Sequence, residues 1–107
     1  MSTENNNLYE NSINILKDLI SFKTISGEDN NQLIDYCDQL LKQIGATSFR
    51  TYDKEKKRVN LFSTLKAKKN SNKIPIILSG HTDVVPVSNG WSSDPFKALI
   101  KDGKLYG

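Results

Sequence analysis

Ile74-Pro75-Ile76-Ile77-Leu78 runs directly into Ser79-Gly80-His81-Thr82-Asp83-Val84-Val85-Pro86, and this stretch decides the reading of the fold. A short, nearly continuous β-branched run of this kind is the pattern of a strand buried on both faces, with Pro75 near its start, where a missing N–H is tolerated. Such a strand needs cover, and two amphipathic stripes upstream supply it. From Leu8 to Phe22, Ile13, Leu16 and Ile20 lie along one helical stripe and Ile15, Leu19 and Phe22 along its neighbour. Leu33, Cys37, Leu40, Leu41 and Ile44 follow at i, i+4, i+7, i+8 and i+11. Glu28 and Asp29 sit at the start of that second helix and Gly45 at its end. Two helices packed on a mixed β-sheet, an α/β fold, is the expectation.

Working outward, the period changes toward two after Gly45. Thr47–Tyr52 and Val59–Leu65 are β-prone runs flanking the charged Asp53–Arg58 loop, a hairpin pattern. Asp102-Gly103 between Ala98–Ile100 and Lys104–Tyr106 is a second hairpin signal. Thr24-Ile25-Ser26-Gly27 reads as a connector between the helices. Residues 1–7 are polar and are expected to be disordered, leaving 8–107 as the folded part.

Composition excludes several classes. At 107 residues the chain is of single-domain size with a small core. One Cys forms no internal disulfide, and one His with one Cys builds no Cys/His zinc cluster. No apolar run approaches the ~20 residues that span a bilayer, and Met1–Asn14 has neither the basic start nor the hydrophobic core of a leader. A cytoplasmic protein without membrane partners is expected. The net charge of +3 is local: residues 41–73 carry ten basic side chains against two acids. No aromatic platform or DNA-reading motif accompanies this excess, so solvated loops rather than nucleic-acid binding are expected.

Chemistry concentrates at the end of the Ile74 run. The single His and a carboxylate two residues on share one side of an extended backbone, because side chains alternate with period two. A carboxylate there accepts the proton of one imidazole nitrogen while the other binds a metal. A structural or surface histidine is the competing reading of His81. Cys37, within an apolar helical stripe, reads as a small buried hydrophobe, and Trp91, Pro95 and Phe96 as residues that pack a loop down.

Three consecutive blocks, Ser79–Pro86, Trp91–Phe96 and Asp102–Gly107, resemble in order and spacing the amino-terminal signature of the aminoacylase, carboxypeptidase G and acetylornithine deacetylase family of zinc metallohydrolases. Ile34–Cys37, Asn60–Phe62 and Trp91–Phe96 most resemble the bacterial acetylornithine deacetylase branch. The desuccinylase and aminoacylase branches are the alternatives, and a non-catalytic binding remnant is a third. The resemblance implies that His81 is a ligand of one of two zinc ions, cobalt being a possible substitute, and that Asp83 is the active-site aspartate that orients His81. It further implies an N-acyl amino acid substrate in arginine biosynthesis and a homodimeric complete enzyme. Residues 8–107 would be the first part of the catalytic domain, without the dimerisation domain and without the remaining ligands and the Glu base. The chain alone is expected to be inactive.

Overall fold

The computed structural model describes residues 3–69 and 72–107. The chain has an α/β fold with the order α1 (Thr3–Ser21), α2 (Asn31–Gln43), β1 (Thr47–Tyr52), β2 (Val59–Thr64), β3 (Leu99–Lys101) and β4 (Lys104–Tyr106). It divides into two compact bodies, one of Thr24–Val84 and one in which the segment ending at Lys23 joins Val85–Gly107.

In the Thr24–Val84 body, β1 and β2 pair antiparallel with Tyr52 opposite Val59 and Thr47 opposite Thr64. The hairpin closes because Asp53 is its own scaffold. Its Oδ1 accepts the backbone N–H groups of Lys57 and Arg58, and its Oδ2 accepts Arg58 Nε at 2.7 Å. Lys56 takes the left-handed conformation, φ 57°, at the tip. The periodic stripe of α2 lies on this hairpin, burying Leu33 and Ile34 with Val59 and Ala46. Each large aliphatic side chain so buried contributes roughly 1.5–3 kcal/mol.

Polar contacts fix the angle between helix and hairpin. The Asn30 side chain pairs with the backbone of Val59 in both directions, Nδ2 donating to its carbonyl at 3.0 Å and Oδ1 accepting its N–H at 2.8 Å. At the other end Arg50 on β1 forks to Asp35 at 2.6 Å and to the buried Asp38 at 2.7 Å, and Lys42 reaches the same Asp38 oxygen at 2.9 Å. Lys42, then Ser48 and Arg50, hold the Asp38 carboxyl far below the usual carboxylate range. α2 ends in a Schellman motif. Ala46 N–H bonds Leu41 O, Gly45 N–H bonds Lys42 O, and Gly45 sits at φ +87°.

In the other body, α1 and the β3–β4 hairpin are the regular elements. The turn residues Asp102 and Gly103 have φ values of 51° and 70°, the pair of left-handed residues that a tight two-residue hairpin requires. Asp94 Oδ1 accepts the Phe96 N–H at 2.9 Å, and Pro95 and Phe96 are half-buried. Gly107 lies so close to Ile20 that an added Cβ would stand 2.6 Å from its Cγ2.

Two expectations are corrected, and the form of the sheet is made specific. α1 begins at Thr3, so Thr3–Asn7, expected to be disordered, are helical. No Gly or Pro interrupts them, and Glu4 lies in the first turn, where an acid complements the helix dipole; Met1 and Ser2 lie outside the described residues. The expected mixed sheet takes the form of two separate antiparallel pairs, and its parallel component is one bridge, Ile25 to Val84. Ile74–Leu78 forms no strand: Ile74, Ile76 and Leu78 are 91%, 88% and 92% exposed. A strand buried on both faces depends on neighbours at both edges, and no strand among the described residues pairs with this segment. The polar Lys66–Lys73 stretch includes Asn70 and Ser71, outside the described residues. No helix of the described residues is long and apolar enough to cross a membrane.

Candidate functional site

The site lies wholly within the Thr24–Val84 body and is built from two short segments laid side by side. Thr24-Ile25-Ser26 follows α1 in sequence, and Thr82-Asp83-Val84 follows the Ile74 run. Val84 N–H donates to Thr24 O at 2.9 Å and Ser26 N–H to Val84 O at 2.9 Å, which makes the parallel bridge. The hydroxyl of the buried Thr24 adds a third tie, donating to Thr82 O at 2.6 Å. Alternation along the Thr24 segment then sets Ser26 beside Asp83, and its Oγ donates to Asp83 Oδ2 at 2.5 Å.

The other carboxylate oxygen faces the imidazole. His81 Nδ1 lies 3.0 Å from Asp83 Oδ1 and 3.0 Å from the Asp83 carbonyl oxygen. Both neighbours are acceptors, so this geometry calls for the proton on Nδ1 and leaves the lone pair on Nε2. The Asp83 carboxyl is held below its usual range, first by the Ser26 hydroxyl and then by His81. The structure thus places the two sequence-selected residues in direct contact, with the His81 ring 85% exposed. An exposed imidazole whose inner nitrogen is engaged by a carboxylate fits the role of a metal ligand through Nε2. Among the described residues no group of three or more His, Cys, Asp or Glu side chains converges to hold an ion.

Ser79–Asp83 form one side of a cleft of about 750 Å³, whose other walls include Ile34, Cys37, Val59 and Leu61. The size is that of a small-molecule site, and the lining is mixed, with Asp53, Arg58 and Asn60 beside the apolar residues. Burial raises the Cys37 thiol, the opposite of what a nucleophilic thiolate needs.

Ser26 and Thr24 were not legible as site residues. Their hydroxyls on alternate positions were readable, as was the turn at Gly27, but their partners lie 57 and 58 positions along the chain.

No family model matches the chain, and no solved structure matches it. Among curated proteins it is similar to the succinyl-diaminopimelate desuccinylases of Rickettsia felis and Rickettsia akari, 42% and 43% identical over 101 residues, and to that of a Sulfurovum species, 36% identical over 96 residues. These alignments cover 89–90% of this chain, and the chain spans about a quarter of the length of the curated relatives it matches. Coverage of that extent takes in His81 and Asp83 wherever the alignment starts. The expected leaning toward an acetylornithine deacetylase is corrected to this extent: these relatives are named as desuccinylases, and the alternative branch fits them better.

Proposed function

We propose that this chain is part of a metal-dependent amide hydrolase that removes the succinyl group from an N-succinyl diamino acid of the diaminopimelate type. The observation that carries the reading is the 36–43% identity to succinyl-diaminopimelate desuccinylases over about nine-tenths of the chain. The His81–Asp83 contact supports it with the chemistry such a reaction needs.

In this reading His81 Nε2 is one ligand of a divalent ion, zinc being the natural candidate for an imidazole donor. Such an ion supplies Lewis acidity that polarises the scissile carbonyl and lowers the pKa of water. Asp83 accepts the Nδ1 proton, so the ring cannot turn or exchange tautomers without breaking a charge-assisted hydrogen bond. The cleft beside Ser79–Asp83 would receive the acyl-amino acid, its mixed lining offering apolar contact for methylene groups and polar partners for the charged ends. Further ligands and a general base would come from residues outside this chain, and the homodimer expected from the resemblance belongs to that longer protein.

The test is hydrolysis by the complete gene product of N-succinyl-LL-diaminopimelate against N-acetylornithine, in parallel with His81→Ala. Metal-dependent release of succinate, lost in His81→Ala, is expected. Preference for the acetyl substrate refutes the substrate assignment. Activity that survives both His81→Ala and chelation refutes the chemistry.

A further inference from the structure

We propose that Ser26 is a positioning residue for this site: its hydroxyl fixes the Asp83 carboxylate so that Oδ1 faces His81 Nδ1, and thereby strengthens, beside the Asp83 carbonyl, the preference for the tautomer that presents Nε2 to a metal. The proposal rests on the reading of His81 as a ligand for its purpose, but its geometry is independent of that reading. The parallel bridge between Ile25 and Val84 is already made by main-chain bonds, Val84 N–H to Thr24 O and Ser26 N–H to Val84 O. The Ser26 hydroxyl is therefore not needed to hold the segments together. It makes its short bond to Asp83 Oδ2 and only a long one, 3.4 Å, to Val84 O. Asp83 is 58% exposed, and the terminal torsion of an Asp side chain is soft. Without a second partner its carboxylate is free to turn away into water. With Ser26 on Oδ2 and His81 on Oδ1, both oxygens have an assigned donor and the plane of the group is set. Ser26, Asp83 and His81 then form one relay, hydroxyl to carboxylate to imidazole.

His81 is the single histidine of the sequence, so its ring nitrogens can be followed without ambiguity in the 107-residue chain labelled with ¹⁵N-histidine. Spectra are taken without metal, about two pH units above the ~6.5 of an unperturbed imidazole. Wild-type protein is expected to hold the Nδ1–H tautomer. Ser26→Ala should lower the ratio of Nδ1–H to Nε2–H without abolishing the preference, because the Asp83 carbonyl oxygen, also 3.0 Å from Nδ1, still accepts the proton. Ser26→Thr keeps the hydroxyl and should keep the ratio. Protection of the Val84 amide from exchange reports that the bridge persists, and if alanine loosens it the threonine variant decides the matter. A wild-type ring with the Nε2–H preference of free histidine overturns the proposal. So does an alanine variant with an unchanged ratio, or a threonine variant that behaves like alanine. Metal dependence of the complete gene product separates this from the ligand reading: a Ser26-dependent tautomer in a protein whose hydrolysis survives both chelation and His81→Ala supports the positioning role and refutes the metal role of His81.

Discussion

Replacing Asn30 with alanine tests how much its amide side chain contributes to holding the hairpin on α2. Asn30 precedes the helix, but its side chain makes no capping bond there, so its loss removes no cap. What it removes is the two-way pairing with Val59, a residue only 3% exposed. The variant leaves a buried N–H and a buried C=O without the acceptor and donor they now face at 2.8 and 3.0 Å. Each unsatisfied buried group costs about 1–3 kcal/mol, and with partial access of water about 2–4 kcal/mol for the pair is expected. For a fold of ordinary stability, about 5–15 kcal/mol, that is a large fraction. With an m value of about 2 kcal/mol per M, inside the ~1–3 range of small proteins in urea, the urea midpoint falls by roughly 1–2 M. The Val59 amide should exchange faster in step. Asn30→Asp keeps the acceptor for Val59 N–H but sets a carboxylate oxygen against the Val59 carbonyl, so it also destabilises at neutral pH. A loss within the ~0.5 kcal/mol typical of surface changes, with Val59 still protected, refutes the reasoning.

Gly45→Ala places a Cβ at φ +87° in open space, so it should cost about 1–2 kcal/mol from backbone strain alone, read as a lower denaturation midpoint; an unchanged midpoint contradicts the Schellman assignment. Asp38, held low first by Lys42 and then by Ser48 and Arg50, contributes stability in full above the ordinary carboxyl value of ~3.9. That contribution is lost as pH falls through its lowered folded-state value, so the deficit of Asp38→Asn should shrink in acid; circular dichroism showing a constant deficit opposes this. Isothermal titration of the chain with Zn²⁺ should show no stoichiometric sub-micromolar binding, because one imidazole and no convergent donor group are described; tight binding refutes it. Ile76→Lys should lower light scattering at equal protein concentration, since Ile74–Leu78 exposes apolar side chains on backbone outside the described ladders; equal scattering from both proteins refutes a sticky role for this run.

What the sequence made legible follows the range of the interactions. The β1–β2 hairpin, read as Thr47–Tyr52 and Val59–Leu65 and observed as Thr47–Tyr52 and Val59–Thr64, depends on alternation and on the Asp53–Arg58 loop, all local. The end of α2 depends on Gly45, and the Asp102-Gly103 turn on two adjacent residues. The His81–Asp83 contact was readable for the same reason, being two positions apart on extended backbone. The Ile74 run carries the composition of a buried strand, but burial is a property of neighbours, and composition does not say whether they are present. Ser26 shows the complementary case, a common residue in a turn-like context whose role depends on a partner remote in sequence.

That remoteness has a kinetic side. α2 and the hairpin close over short loops, whereas Thr24–Ser26 must find Thr82–Val84 across more than fifty intervening residues. Closing a loop grows costlier with its length, though slowly, and long-range pairings slow folding. The imidazole and its carboxylate are neighbours in the unfolded chain, but the hydroxyl reaches them only when the two ends of the Thr24–Val84 body have met, so the complete relay reports that long-range closure.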